Sequence, residues 1–332
     1  MSRYRVLSSV PLEFRGKGLA RGMLEEAGFE VVEKFPVDRS WPDGETIEKL
    51  AGVDAIIAGG EYIKAPTMVR ADRLKVVARN GVGYDRVDLD ACTERGILVT
   101  ITPGAMADAV ADHAMALLLG LVRGLVSGDR SVKAGGYEVA IGEDLSAMTL
   151  GLMGCGHIGA EVVRRALGFK MRVVVHDPWV AAAAIEEMGA EAVELDELLA
   201  QSDAITLHTP LNEENAGMVD ADFLGRMKAG SYLINTARGG LVHEQALIEA
   251  LKNGHLAGAG LDCQEKEPPV GTSLELVRLD HVLAMPHSGS KTYAAREAMS
   301  VMAAHNVIQG LNGQVPDHLV NREVLEKLNL ED

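Results

Sequence analysis

The chain has 332 residues, of which 47% are hydrophobic and 24% charged, and its formal net charge is −16 at pH 7. This composition is typical of a globular protein of about two domains, while the acidic balance argues against nucleic acid or anionic membrane as a partner. Its three cysteines are too few for a disulfide framework or a zinc site, and no apolar run reaches the ~18 residues of a membrane span, so we expect a cytoplasmic protein.

Short β-branched runs alternate with amphipathic stretches along the first hundred residues. We predict strands at RYRVLSS, FEVVEKF, DAIIAGG, LKVVARN and GILVTIT, separated by helices such as GLARGMLEEAG. One long apolar helix, AMADAVADHAMALLLGLVRGLVSG, is predicted to follow. This alternation favours a parallel sheet with helical crossovers.

A second series of strands begins at Thr149. It comprises TLGLMG, MRVVVHDP, DAITLHTP, SYLINTA, LAGAGLDC and HVLAMPH, and a final helix, TYAAREAMSVMAAHNVIQGL, precedes a polar tail. The sequence therefore predicts two α/β domains, the second beginning near residue 103. The final helix could pack on either of them.

The strongest local motif is G-x-G-x-x-G, formed by Gly154, Gly156 and Gly159 between an apolar strand and an amphipathic helix. Glycines in this context permit a tight turn and a close approach of pyrophosphate to a helix N-terminus. The next strand ends in Asp177, whose carboxylate suits ribose hydroxyls and repels a 2′-phosphate, which favours NAD over NADP. The alternatives are glycines that serve packing alone and an aspartate that caps the next helix.

Three ionisable side chains follow three later strands. Arg238 follows SYLINTA, Glu267 follows LAGAGLDC, and His287 follows HVLAMP. Since ligands of open parallel sheets bind at the carboxyl ends of the strands, we expect these groups at one edge of the sheet. An imidazole can accept an alcohol proton, a carboxylate can stabilise the imidazolium, and a guanidinium can hold a substrate carboxylate. Taken singly, each has an ordinary structural role open to it: a surface ion pair, a solvated charge, or a strand-end histidine.

Other chemistries fit the sequence less well. It contains no G-x-S-x-G elbow for a hydrolase and no H-x-x-x-H cluster for a metal. A Rossmann enzyme that uses S-adenosylmethionine would not need the three strand-end groups. A binding protein that senses NAD(H) without catalysis remains an alternative to an oxidoreductase acting on 2-hydroxy acids.

Several motifs in order along nearly the whole chain resemble those of the D-isomer-specific 2-hydroxyacid dehydrogenases, in particular the 3-phosphoglycerate dehydrogenase-like branch. They are LKVVARNGVGYDRVDLDAC, TLGLMGCGHIG with VVVHDP, ITLHTPL, LINTARGGLV, LAGAGLDCQEKEPP and MPHSGS. The resemblance implies two Rossmann-like or flavodoxin-like, doubly wound parallel-sheet domains with an active-site cleft between them. It implies a substrate domain of residues 1–102 plus 293–332, an NAD-binding domain of residues 103–292, and a homodimer that forms through the cofactor domains.

The resemblance also assigns site residues. It makes His287 the general acid/base, supported by Glu267, and Arg238 the residue that holds the substrate carboxylate and carbonyl oxygen. The substrate contacts it implies also include Arg79 and the loop Asn80, Gly81, Val82 and Gly83, whose N–H groups form an anion-binding nest. The cofactor contacts it implies are Gly154, Gly156, His157, Ile158, Gly159, Asp177, His208, Thr209, Pro210, Thr236, Ala237, Asp262 and Gly289.

Departures from the family pattern bear on the substrate. Phosphoglycerate-specific relatives often carry an Arg-Ser pair where this chain reads AIIAGGEYIKA, with Lys64 as the nearest cation. Phosphoglycerate is the leading prediction for the substrate, and glycerate, hydroxypyruvate or sulfolactate are the alternatives. Ser288 stands where relatives usually have an aliphatic residue.

Overall fold

The computed structural model describes residues 4–16, 18–36, 41–139 and 141–330. Contacts within the chain divide it into two compact units. Unit 1 comprises Met1–Met106 and Thr292–Asp332, and unit 2 comprises Ala107–Lys291. The sequence predicted the corresponding boundaries at 102/103 and 292/293.

Each unit contains one parallel sheet flanked by helices. The strands are β1 (Arg5–Ser8), β2 (Glu30–Glu33), β3 (Ala55–Ala58), β4 (Val76–Arg79), β5 (Leu98–Thr100), β6 (Thr149–Met153), β7 (Arg172–His176), β8 (Glu191–Ala192), β9 (Ala204–Leu207), β10 (Ser231–Asn235), β11 (Leu256–Leu261) and β12 (Val282–Ala284). The helices are α1 (Leu19–Glu26), α2 (Asp43–Leu50), α3 (Leu89–Glu94), α4 (Ala107–Val122), α5 (Leu125–Lys133), α6 (His157–Gly168), α7 (Ala182–Glu187), α8 (Leu195–Gln201), α9 (Ala221–Arg226), α10 (Glu244–Lys252), α11 (Thr272–Val277), α12 (Tyr293–Leu311) and α13 (Val324–Leu328).

Unit 1 has a five-stranded sheet in the order β2-β1-β3-β4-β5. This order is that of flavodoxin-like proteins, and the central strand β3 is buried throughout. Two apolar clusters cover the two faces, one centred on Ile57 and Val307, the other on Ile56 and Met68. Burial of both faces explains why these strands read as continuous apolar runs.

Unit 2 has a seven-stranded sheet in the order β12-β11-β10-β9-β6-β7-β8. The strand order reverses between β6 and β9, as in the doubly wound Rossmann fold, and apolar clusters again cover both faces. The predicted fold class, two doubly wound parallel-sheet α/β domains, is confirmed. All eleven predicted strands are present, and the two-residue strand β8 was not predicted.

The prediction of one long apolar helix after residue 104 is wrong in one respect. It is interrupted at Gly124, which adopts a left-handed conformation with φ of 56°, and the axes of α4 and α5 differ by 59°. The apolar pattern runs through the break, so periodicity alone did not reveal it. No single helix of the described residues is long and apolar enough to cross a membrane, although α4 and α5 together pass that test of length and composition.

The C-terminal segment belongs to unit 1. Helix α12 contacts β3, β4 and α1, and its residues Ala303, Ala304 and Val307 are fully buried there. The stretch expected to be a polar tail contains α13, whose Val324 and Leu325 join the same core. Asn321 ties this stretch to the sheet, because its side chain accepts a hydrogen bond from Val99 N and donates to Ile97 O.

Candidate active site

The glycine-rich turn lies where the strand order of unit 2 reverses. Gly154 has φ of 92°, and a Cβ there would fall 2.9 Å from the backbone N of Thr209, which follows β9. A Cβ on Gly159 would fall 2.4 Å from Gly154 O, so the helix can approach the strand only without a side chain. These contacts give two of the three glycines a structural requirement and bring the loops after β6 and β9 together.

Gly156 has a different role from the other two glycines. It caps the N-terminus of α6, and a Cβ built on it would meet no heavy atom within 4 Å. The N–H groups of His157 and Ile158 lie in the first turn, where an α-helix offers no acceptor of its own. The turn therefore leaves open space in front of a helix N-terminus, a geometry that suits a pyrophosphate.

Asp177 follows β7 and is tied to the glycine-rich turn. Its Oδ2 accepts a hydrogen bond of 2.7 Å from the backbone N–H of Cys155, and its Oδ1 accepts one of 2.8 Å from Trp179 N. Since each carboxylate oxygen can accept two hydrogen bonds, both retain capacity for ribose hydroxyls. The adjoining Trp179 side chain is 92% exposed.

The three predicted catalytic residues follow three adjacent strands. In the register of the sheet, Asn235 of β10 pairs with Leu261 of β11, which pairs with Ala284 of β12. Arg238 follows the first of these three by three residues, and its turn is held by Asn235, whose Nδ2 donates to Arg238 O and whose Oδ1 accepts from Ala237 N. The half-buried guanidinium donates one hydrogen bond back to Ala237 O.

The loop that carries Glu267 packs directly on the arginine turn. A Cβ on Gly239 would lie 2.0 Å from the carbonyl carbon of Gln264, so only glycine permits this approach. The loop is also held by buried Glu244, which accepts hydrogen bonds from Glu265 N at 2.9 Å and from Ser273 Oγ at 2.6 Å.

Glu267 and His287 form the central pair of the site. The imidazole Nδ1 lies 2.9 Å from Oε1 and 3.2 Å from Oε2 of the carboxylate. Because a carboxylate only accepts hydrogen bonds, Nδ1 carries the proton, and Nε2 is the nitrogen left for a substrate. His287 has φ of 52°, a left-handed conformation that is strained in a residue with a side chain.

Two of the residues predicted to contact the cofactor, Thr236 and Asp262, lie at the same strand ends. Thr236 is buried, and its Oγ1 has no hydrogen-bond partner among the described residues. Asp262 is buried as well and accepts a hydrogen bond of 2.8 Å from Gly289 N. Burial of a polar group without a partner costs stability, so the Thr236 hydroxyl fits a site that receives a polar ligand.

His208 and Pro210 flank the switch point after β9. Burial lowers the pKa of His208 to about 3, and its Nε2 lies 2.9 Å from Thr206 Oγ1. The imidazole is therefore neutral at physiological pH. The carbonyl of Pro210 accepts a hydrogen bond from Asn215 Nδ2, which fixes the following loop.

In unit 1, Arg79 supports the loop predicted to bind substrate. Its side chain is largely buried and donates to Gly83 O from Nε and to Ala58 O from Nη1, both at 3.1 Å. The N–H groups of Gly81, Val82 and Gly83 have no protein acceptor in the part of the chain that the structure describes. The loop therefore presents backbone donors, and the arginine holds their carbonyl side in place.

Sequence reasoning missed the residues that hold these groups from behind. Asn235 and Glu244 read as a strand-end amide and as an acidic residue in the first turn of a helix. His113, in the middle of the apolar helix α4, reaches Asp262 at a separation of 149 residues. A histidine among the buried alanine, methionine and leucine residues of this helix was the available signal. No cluster of three or more potential metal ligands occurs in the described ranges.

A glycine-rich turn before a helix, a carboxylate after the next strand and a carboxylate–imidazole pair at the later strand ends are the features expected of an NAD-dependent oxidoreductase. Comparisons with known proteins agree. The family model "D-isomer specific 2-hydroxyacid dehydrogenase, NAD binding domain" matches residues 115–289. The chain belongs to the D-isomer-specific 2-hydroxyacid dehydrogenase family.

Its relatives include proteins named glyoxylate reductase. That of Thermococcus litoralis is 40% identical over 318 residues, covering 91% of this chain and 96% of the relative. That of Pyrococcus furiosus is 42% identical over 314 residues, covering 92% of each.

Solved structures resemble the chain over its whole length. A Thermus thermophilus protein is 39% identical with a TM-score of 0.85, covering 95% of this chain and 99% of the other. The D-lactate dehydrogenase of Aquifex aeolicus, complexed with NAD and lactic acid, is 29% identical with a TM-score of 0.81, covering 96% and 99%. The cofactor prediction, NAD, is confirmed. The relatives bear out a 2-hydroxyacid dehydrogenase and do not single out phosphoglycerate.

Proposed function

We propose that the protein reduces a small 2-oxo acid of the size of glyoxylate or hydroxypyruvate to the D-2-hydroxy acid with NADH, and catalyses the reverse oxidation. The observation that carries this proposal is the 2.9 Å contact between His287 Nδ1 and Glu267 Oε1 beside the Arg238 turn. The names of the relatives from Thermococcus litoralis and Pyrococcus furiosus support the choice of a glyoxylate-sized substrate.

The chain's own residues would handle charge and protons. NADH supplies the hydride to the carbonyl carbon. His287 would donate the proton on Nε2 to the carbonyl oxygen in reduction and accept it again in oxidation. Glu267 would stabilise the imidazolium form, and Arg238 would hold the substrate carboxylate through paired hydrogen bonds.

In the same proposal, the glycine-rich turn and the first residues of α6 bind pyrophosphate, and Asp177 binds the adenosine ribose. Thr209 with its neighbours His208 and Pro210 lies on the adenine side. Residues 103–292 act as the cofactor domain, and the remainder as the substrate domain. The nicotinamide side is assigned to Thr236, Ala237, Asp262 and Gly289.

The carboxyl edge of the unit 1 sheet argues for a small substrate. Glu61 follows β3 and is fully buried, where a phosphate site would use a cation. Two N–H groups of Arg79 are bound to backbone carbonyls, and Lys64 lies over the ring of Tyr62 at 4.9 Å. The backbone N–H groups of Gly81, Val82 and Gly83, which have no acceptor among the described residues, suit a carboxylate, so we place phosphoglycerate second.

The closing experiment measures NADH consumption with glyoxylate, hydroxypyruvate, pyruvate and 3-phosphohydroxypyruvate. We expect glyoxylate or hydroxypyruvate to give the highest kcat/KM. His287→Ala should lower kcat by about 10²- to 10⁴-fold, the usual contribution of general acid–base catalysis, while NADH binding changes little. His281→Ala, an exposed histidine at the other end of β12, is the matched control.

Two results would contradict the proposal. A preference for 3-phosphohydroxypyruvate would restore phosphoglycerate as the substrate. NADH binding without turnover of any 2-oxo acid would instead indicate a protein that senses the cofactor.

We also propose that two copies pair through the cofactor domains. Exposed apolar side chains lie on the segment after α5, where Tyr137 is 87% and Ile141 98% exposed. The segment borders a hollow of about 880 Å³ that reaches the edge strand β12. Apolar exposure on this scale is typical of an interface.

The dimer is tested by sedimentation velocity. Ile141→Asp combined with Tyr137→Asp should convert a dimer into a monomer, because burying two carboxylates opposes association. Val270→Asp, at another exposed apolar position of unit 2, should leave the dimer intact. A monomeric wild-type protein at micromolar concentration would refute the pairing.

A further inference from the structure

We propose that His113 is a positioning residue for the proton-transfer step, acting through Asp262 on the backbone that follows His287. This inference deepens the proposed function and rests on His287 as its acid/base. His113 lies on α4 among buried alanine, methionine and leucine residues, and its Nε2 lies 3.1 Å from Asp262 Oδ1. Its side chain is 18% exposed, so the interaction is largely shielded from water.

Asp262 joins three segments of unit 2. It follows β11, its Oδ1 accepts from Ser288 N at 2.7 Å as well as from His113, and its Oδ2 accepts from Gly289 N at 2.8 Å. Burial raises the pKa of its carboxyl, but the hydrogen bonds from His113 and the two backbone N–H groups outweigh burial and lower it. The carboxylate is therefore ionised, and His113 Nε2 must be the donor.

The hydrogen bonds that Asp262 accepts from His113, Ser288 and Gly289, here called the tether, lie directly next to a strained residue. His287 has φ of 52°, a strained conformation for a residue with a side chain, which persists only where neighbouring contacts impose it. The two N–H groups that Asp262 holds belong to the next two residues, Ser288 and Gly289. Holding them fixes the backbone from which the imidazole extends toward Glu267.

The loop after β12, Asp262 and helix α4 pack closely together at Gly289. A Cβ on Gly289 would lie 3.0 Å from Asp262 Oδ2, 3.6 Å from His113 Cδ2 and 3.7 Å from Val110 Cγ2. Helix α4 thus lies against the loop, and His113 is the side chain that binds the carboxylate from the helix side. Without that donor, Asp262 keeps only donors of the loop itself, the N–H groups of Ser288 and Gly289 and the Ser288 hydroxyl, and loses its hydrogen bond to the helix.

The tether also explains how Asp262 serves two purposes. Its Oδ1 is filled by His113 Nε2 and by the N–H and the more distant hydroxyl of Ser288, whereas Oδ2 has one protein donor and keeps capacity for another. The oxygen with capacity to spare is the one available to the nicotinamide carboxamide in the proposed function. One buried carboxylate would then align the cofactor and the acid/base together.

The test uses His113→Leu, which removes the donor and fills the space, and His113→Gln, which retains an N–H donor. Asp112→Asn, on the exposed face of α4, is the control. We expect His113→Leu to lower kcat about tenfold to hundredfold, the range for residues that orient catalytic groups, and His113→Gln to recover most of the loss. The isotope effect with NADH deuterated at the transferred position should increase in His113→Leu.

A double-mutant cycle separates positioning from general damage. If His113 acts through His287, then His113→Leu in a His287→Ala background should cause no further loss of kcat. If the double variant instead shows the product of the two single-variant losses of kcat, the proposal is overturned. A His113→Leu variant with unchanged kcat and isotope effect would overturn it as well.

A second readout does not depend on turnover. In ¹⁵N-histidine-labelled protein, the proton on His287 Nδ1, assigned by its absence in His287→Ala, should give a downfield resonance because Glu267 accepts it. That resonance should be lost or shifted upfield in His113→Leu and retained in Asp112→Asn. An unchanged resonance in His113→Leu would refute the positioning role of His113, even if no substrate were turned over. A wild-type protein without turnover would refute only the proposed function.

Discussion

Asp177 accepts a hydrogen bond of 2.7 Å from the backbone N–H of Cys155, so the carboxylate after β7 holds the glycine-rich turn after β6. The carboxylate that the proposed function assigns to the ribose thereby also shapes the loop that it assigns to the pyrophosphate. Cys155 is buried, and burial raises the pKa of its thiol to about 11, which leaves it an apolar filler of this turn.

The first prediction concerns Asp177. Asp177→Asn removes the charge that repels a 2′-phosphate while keeping one acceptor oxygen. The kcat/KM for NADPH relative to that for NADH should therefore rise at least about tenfold, which corresponds to about 1.4 kcal/mol. Asp177→Ala should also lower the free energy of unfolding by about 1–3 kcal/mol, because Cys155 N loses its partner. Kinetics with both cofactors and urea unfolding check this; an unchanged ratio in Asp177→Asn would contradict it.

The second prediction concerns the charge of Glu267. Glu267→Gln keeps an acceptor for His287 Nδ1–H but no longer stabilises the imidazolium, so kcat should fall about tenfold to hundredfold. Steady-state kinetics of 2-oxo acid reduction check this. Glu265→Gln, on the same loop, is the control; equal kcat in the two variants would show that the charge is unimportant.

The third prediction concerns the pH dependence of stability. Burial lowers the pKa of His208 from its ordinary value of 6.5 to about 3 in the folded protein. Above pH 6.5 neither state binds the proton, whereas between pH 6.5 and pH 3 the unfolded state alone binds it. This histidine therefore reduces stability as pH falls, by at most about 1.4 kcal/mol per pH unit.

Urea unfolding at pH 7 and pH 5 measures the effect. Between pH 7 and pH 5 the free energy of unfolding of the wild type should fall by up to about 2 kcal/mol more than that of His208→Gln, since glutamine does not titrate. His281→Gln, an exposed histidine, should follow wild type. Parallel losses in wild type and His208→Gln would mean that the imidazole is protonated in the folded state.

The fourth prediction concerns the two tryptophans. Trp179, two residues after Asp177, is 92% exposed, whereas Trp41 lies in the core of unit 1 with 3% exposed. Acrylamide should quench a readily accessible and a protected fraction of the emission. If adenosine binds beside Asp177, NAD⁺ should protect the accessible fraction from quenching. Trp179→Phe should remove that fraction. Quenching that is unchanged by NAD⁺ would contradict this position for the adenosine.

The sequence predicted the sheets well because their strands are buried on both faces and are therefore written as uninterrupted β-branched runs. It predicted that Glu267 and His287 lie at one edge of the sheet, because parallel strands place their carboxyl ends together. It could not reveal the break at Gly124, where apolar residues continue through a left-handed glycine. Nor could it predict that His113 reaches Asp262, because a contact across 149 residues depends on packing and leaves no local pattern.

The discontinuous make-up of unit 1 has a consequence for biosynthesis. Unit 2 is one uninterrupted stretch, Ala107–Lys291, whereas the core of unit 1 includes Ala303, Ala304 and Val307 from α12. During translation the first five strands emerge before unit 2, yet the helix α12, which covers one face of their sheet, is made only after unit 2. Unit 2 can therefore complete its fold first, while the N-terminal segment of unit 1 keeps an exposed apolar sheet face that invites chaperone binding until α12 leaves the ribosome.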